Sequence, residues 1–205
     1  MVKIFIEGGG DSDAQYSKFR EAMRVFLEKA GVKGRMPRMV FCGGRKEAFD
    51  DYKTEIKDGK SAYLLVDSEE AVKDTFQEGE DMTKWKPWGH LKQRTGDKWE
   101  KPKGAEDNQC HLMVQCMENW FLADSAALKN VFTKGFNEKK LPMNKPIETI
   151  GKKEAYDALE AATKDNYSKG RNSFKILAEI DPAKVTSASP WAKRFVDTLK
   201  TATST

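Results

Sequence analysis

The chain has 205 residues, 39% of them hydrophobic and 33% charged, with a formal net charge of +4 and a pI near 8.8. That composition describes one globular domain with decorations or a small appendage, and it excludes a disordered chain. No apolar run is long enough to cross a bilayer and the N-terminus lacks a signal-peptide pattern, so the sequence reads as a cytoplasmic protein.

Residues 2–6 (VKIFI) form a β-branched apolar run that stops at Glu7, Gly8, Gly9 and Gly10, a buried strand entering a tight turn. Asp11, Ser12 and Asp13 offer caps for a helix whose apolar positions, Tyr16, Phe19, Ala22, Met23, Phe26 and Leu27, recur at helical spacing until Gly31. Residues 38–41 (RMVF) form a second strand, turned by Gly43 and Gly44 into a helix over residues 47–56. Residues 62–66 (AYLLV) form a third strand.

From about residue 70 to 108 periodicity collapses into a polar segment rich in tryptophan and lysine. An irregular stretch this long inside a compact domain predicts a functional insertion, a lid or binding loop. Residues 111–116 (HLMVQC) predict a fourth strand and residues 117–132 one helix. Further helices are predicted over 152–163, 172–180 and 191–199, separated by Gly170, Pro182 and Pro190, with residues 201–205 as a frayed tail. Strands alternating with helices imply an α/β fold, a Rossmann-like parallel sheet of about four strands flanked by helices. Residues 1–135 are expected to form the core, with the insertion at 70–108, and residues 136–205 a C-terminal helical extension.

Chemistry concentrates where strands end. Open parallel sheets bind ligands beyond the carboxyl ends of their strands. Glu7 ends the first strand, Asp67 and Glu69 end the third, and residues two apart in extended backbone point to one side. Three converging carboxylates require a cation, and hard oxygen donors favour Mg2+ or Mn2+. Glu118, where the fourth strand passes into a helix, is a further ligand or a base for water. The alternative for any one of these acids is a solvated loop or a helix cap.

The glycine run does not make a phosphate loop. It lacks G-x-x-x-x-G-K-S/T and G-x-G-x-x-G, and Asp11 and Asp13 would repel an anion. Gly8, Gly9 and Gly10 are expected instead to turn the chain so that Glu7 faces the site, with Asp11 as a cap or outer-shell residue. Cys42, Cys110 and Cys116 have no disulfide or zinc spacing. His90 and His111 have no nucleophile block beside them, which sets hydrolase triads aside.

The strand ending Glu7, Gly8, Gly9 and the Asp67, Glu69 pair resemble TOPRIM domains, whose strand-one Glu and strand-three D-x-D bind magnesium to cut or join nucleic acid. Here Glu69 stands where Asp is common. The blocks EGGGDS, GRMPR, CGGR, LLVDSE, HLMVQCMENWFLAD, SKGRNSF, IDPAKV and SPWAKRF together resemble a bacterial family catalogued as a numbered domain of unknown function. Families of this kind are often encoded beside an AAA or ABC-type ATPase in antiphage, abortive-infection cassettes. The resemblance implies a Mg2+- or Mn2+-dependent nuclease with an ATPase partner; a non-catalytic nucleic-acid-binding or ATPase-regulating subunit is the alternative. Glu7, Asp67 and Glu69 are the expected metal ligands, and Glu7, Glu118 and Lys169 the expected catalytic residues. Arg45, Lys169, Arg171 and Trp88 are expected to bind nucleic acid. The lysine-rich insertion with its tryptophans fits three roles equally: a nucleic-acid lid, a loop anchored by tryptophans in a small core, or a dock for the ATPase.

Overall fold

A computed structural model describes residues 2–9, 12–32, 34 and 36–203. In chain order the regular elements are β1 (Lys3–Ile6), α1 (Asp13–Lys29), β2 (Arg38–Phe41), α2 (Arg45–Lys57), β3 (Ala62–Asp67), α3 (Pro87–Gln93) and β4 (Cys110–Met113). There follow α4 (Met117–Leu122), α5 (Ser125–Val131), α6 (Lys152–Ala162), α7 (Ser173–Glu179), α8 (Pro182–Ala188) and α9 (Pro190–Thr203), with short 3-10 turns between some of them. The fold is α/β and Rossmann-like: four parallel strands in the order β2-β1-β3-β4. No helix among the described residues is long and apolar enough to cross a membrane.

The strands alternate at period two, so each face of the sheet has its own core. Ile4, Ile6, Leu65 and Met113 face α1, α4 and α7, a layer that includes the stacked pair Phe26 and Trp120. Phe5, Leu64, Val66 and Leu112 face the other way, against Ala48, Phe49 and Tyr52 of α2 and against Trp85, Trp88 and Leu91. One crossover helix, α2, cannot cover four strands, and the inserted segment supplies the rest of that layer. Helix α9 serves both faces: Trp191 joins the second core, and Phe195 and Leu199 the first.

Several expectations change in detail. The insertion is ordered, with 3-10 turns at Asp74–Phe76, Met82–Lys84 and Asp107–Gln109 around α3. The helix expected over 117–132 is two helices, because Asp124 caps a new one by accepting from Ala127 N at 3.3 Å. Pro182 starts α8 instead of separating helices: it is the first helical residue, behind Asp181, which accepts from Ala183 N at 2.8 Å. The fourth strand stops at Met113. Residues 201–203 are helical rather than frayed, while Ser204 and Thr205 lie outside the described residues.

Candidate metal centre

From β1 the chain first goes to β2 on one side and then to β3 on the other, so strand order reverses between β1 and β3. Crossovers on opposite faces leave a crevice at the carboxyl ends of those two strands. Glu7 sits there, one residue past β1, its amide donating to Leu65 O at 3.0 Å. Glu7 Oε2 accepts from the amide of Asp67 at 3.1 Å, which ties the two strand ends together. Asp67 is 5% exposed, and its Oδ1 accepts from Met117 N at 3.0 Å, at the start of α4. Burial first, and then the Glu7 carboxylate, push the Asp67 carboxyl well above its ordinary range, against the pull of Lys152.

Glu69 reaches the same point by another route than the extended backbone expected of it. Strand β3 ends at Asp67, and Glu69 adopts φ +66, the left-handed region that non-glycine residues avoid. Its amide donates to Gln115 O at 2.8 Å, and His90 Nε2 bonds the preceding Ser68 carbonyl at 2.9 Å, so the turn is fixed from both sides. One carboxylate oxygen from each of Glu7, Asp67 and Glu69 lies within 4.8 Å of the others. Across an octahedron with arms of about 2.1 Å, opposite ligands stand about 4.2 Å apart. Small side-chain movements therefore close this set on a magnesium- or manganese-sized ion, and the donor chemistry fits.

Two cations offset part of the cluster's charge. Arg45 Nη1 donates to Glu7 Oε2 at 3.0 Å and to the Asp67 carbonyl, and its other edge grips Asp97 at 2.8 and 2.6 Å. The guanidinium stacks over Trp99, 4.8 Å from the ring centroid, and Trp99 stacks on Phe49 at 4.4 Å. The second cation, Lys152 at the start of α6, was not foreseen. Its Nζ lies 2.6 Å from Glu69 Oε1 and 3.4 Å from Asp67 Oδ2. Burial opposes its charge, but Asp67 and Glu69 more than offset this and hold its pKa above the ordinary value.

A cavity of about 610 Å³ opens beside the cluster, lined by Glu7, Asp67, Glu118, Lys169, the Gly8–Gly9 turn and the Gly43–Gly44 turn. The two glycine turns exchange hydrogen bonds, Gly8 N to Gly43 O at 2.9 Å and Gly43 N to Gly8 O at 3.1 Å. Gly9 has φ +117, and a Cβ on it would lie 2.6 Å from the Tyr16 ring. Gly10 and Asp11, given roles in this turn from sequence, lie outside the described residues; Ser12 is the cap of α1, accepting from Gln15 N at 3.4 Å. Glu118, 1% exposed, accepts from the Tyr167 hydroxyl at 2.8 Å, and burial followed by the Glu118 charge raises that phenol's pKa. Lys169 lies over the Tyr156 ring at 5.7 Å. Cys42 also borders the cavity, and burial, reinforced by Asp51, pushes its thiol up to about 12, which keeps it protonated and unfit as a nucleophile.

The expected nucleic-acid contacts separate. Lys169 borders the cavity, whereas Arg171, two residues on, lines a shallow basic groove with Lys134 and Lys175. Arg45 is occupied as the brace of Glu7 and Asp97. Trp88 is 3% exposed, packs against Phe49 and Tyr52 and donates to Glu106 O at 3.2 Å, so it has no free face on which a base can stack. That corrects its expected role: the second core face of the sheet needs the indole, and the insertion is anchored by its tryptophans. Trp85 behaves likewise, packed on Trp191 at 4.8 Å. Both histidines are buried with lowered pKa values, desolvation being the main cause for each.

Sequence comparison adds a family match. A family model described as "Domain of unknown function (DUF4276)" matches residues 3–200. No curated protein and no solved structure matches the chain.

Proposed function

The chain belongs to the DUF4276 family, and from that premise we propose that it is a metal-dependent nuclease of TOPRIM type, hydrolysing phosphodiester bonds of DNA or RNA. The observation that carries the reading is the convergence of Glu7, Asp67 and Glu69 within 4.8 Å at the switch point of a parallel sheet. The resemblance of the surrounding sequence blocks supports a role as effector subunit beside an AAA or ABC-type ATPase in antiphage defence.

Glu7, Asp67 and Glu69 would hold Mg2+ or Mn2+. Bound there, the ion supplies Lewis-acid polarisation of a phosphoryl oxygen and lowers the pKa of water. The chain's own groups supply the rest. Glu118, oriented by Tyr167, accepts the proton of the water whose oxygen forms the new bond to phosphorus. Lys169 offers its ammonium to the non-bridging oxygens, where negative charge accumulates as the phosphorus–oxygen ester bond breaks. Arg45 keeps Glu7 in place, and solvent returns a proton to the leaving oxygen.

Labelled DNA and RNA incubated with the protein and Mg2+ or Mn2+, with and without the ATPase, test this. Cleavage should fall by about a hundredfold or more in E118Q, the usual scale for losing a general base. It should vanish in the E7Q/D67N double variant, and cleavage unchanged in that double variant overturns the mechanism. One observation favours the alternative of a non-catalytic subunit: Arg45 and Lys152 already offset part of the carboxylates' charge. A wild-type protein that binds nucleic acid but leaves it intact under every metal condition selects that reading.

A further inference from the structure

We infer that Lys152 is an exchangeable internal counter-ion of the carboxylate site: its ammonium holds the place between Asp67 and Glu69 that a divalent ion takes, and the ion enters by displacing it. The inference rests on the metal reading proposed above and concerns how that site is regulated. Lys152 Nζ contacts two of the three candidate ligands, at 2.6 and 3.4 Å, and so stands on the side of the cluster that Arg45 leaves open. Helix formation does not explain a lysine here. It is the first residue of α6, where the helix dipole disfavours positive charge. The carboxylates explain it.

The two cations are built differently. Arg45 is held by Asp97 through two hydrogen bonds and by the Asp67 carbonyl as well as by Glu7, so it stays when Glu7 turns to a metal. The hydrogen-bond and ion-pair partners of Lys152 among the described residues are the carboxylates of Asp67 and Glu69, and its side chain keeps 27% of its surface exposed. A four-carbon stem with access to solvent can leave. Once displaced, the ammonium is a free cation beside an occupied metal site, available to an anionic substrate. Metal binding and phosphodiester binding are then positively coupled, each raising the affinity for the other.

Titration of Mn2+ into the full-length protein, followed by calorimetry or by the paramagnetic resonance of the free ion, tests the exchange. The arms are wild type, K152M, K152R and, to locate the ion, D67N. With the competing charge gone, K152M should bind Mn2+ about five- to tenfold more tightly, at the lower end of ordinary coupling between sites. K152R, which keeps the charge, should bind as wild type does, and D67N should lose binding. Mn2+ should also raise the thermal midpoint of K152M by more than that of wild type, because the ion replaces the missing counter-charge.

Equal or weaker Mn2+ binding by K152M, with wild-type binding still dependent on Asp67, overturns the counter-ion role and leaves the metal site standing. Absence of Mn2+ binding in both wild type and K152M overturns the two together. If K152M fails to fold without metal, folding restored by Mn2+ supports the exchange; a variant that stays unfolded in Mn2+ overturns it.

Discussion

Replacing Arg45 by methionine removes the brace on which the geometry of Glu7 depends. The guanidinium makes two charge-assisted hydrogen bonds to Asp97 at 2.8 and 2.6 Å, one to Glu7 at 3.0 Å and another to the Asp67 carbonyl. Its loss leaves Glu7 without a counter-charge, holding only the Asp67 amide, and leaves Asp97, whose side chain is 2% exposed, with Arg94 at 2.9 Å. Removing one partner of a buried ion pair costs about 3–5 kcal/mol. Arg45 and Glu7 keep 14% and 15% of their side-chain surface, which lets water screen part of that, and Arg94 limits the damage at Asp97. The net loss should be about 3 kcal/mol, a large fraction of the roughly 5–15 kcal/mol that stabilises a domain. Urea denaturation in metal-free buffer measures it, with the slope unchanged if only stability moves. R45K keeps the charge without the fork and should recover about half. A double-mutant cycle with D97N should give a coupling of about 1–3 kcal/mol. An R45M protein within about 1 kcal/mol of wild type, or one that shows no coupling to Asp97, refutes the brace.

Two glycines separate crowding from backbone strain: G9A must place a Cβ 2.6 Å from the Tyr16 ring at φ +117, whereas G59A, at φ +72, meets nothing within 4 Å. Thermal melts should show G59A costing about 1–2 kcal/mol for its left-handed backbone alone and G9A clearly more; equal losses would remove crowding from the account. Asp124 provides a pH test. Burial works against its charge, but Lys184 and the amides of Asp181 and Ala127 outweigh it and hold the carboxyl below the ordinary carboxylate range. A depressed folded-state pKa stabilises fully above the unfolded value, about 3.9, and that stability is lost as pH falls through the folded value. D124N should therefore be less stable than wild type near neutrality, with the gap closing in acid; a gap independent of pH would show that the Asp124 charge is immaterial.

The first half of the fold was legible because its signals are local. Strands β1 and β2 are short apolar runs stopped by glycine turns and helix α1 carries a clean helical period up to Gly31, and the first turn places Glu7 where the topology predicts a ligand. Asp67 followed from the end of β3. The rest depends on partners far apart in sequence. Trp85 and Trp88 look like an exposed aromatic surface until the bare face of the sheet that they cover is known. Asp124 is invisible as a helix break, since Leu122, Leu128 and Val131 continue an apolar pattern across it. Pro182 reads as a stop, and only its position behind the Asp181 cap makes it a start. Lys152 had no local signal, because its partners lie 83 and 85 residues earlier in the chain.

That separation orders the assembly of the site during synthesis. Glu7, Arg45, Asp67 and Glu69 all precede Lys152 in synthesis, and the lysine that adds the second positive charge follows only with α6. Until then the growing chain carries three carboxylates against one guanidinium that Asp97 also claims, a balance that disfavours bringing all three together. The charge at the mouth of the sheet is thus set by both halves of the polypeptide, the acids by the first and the lysine by the second.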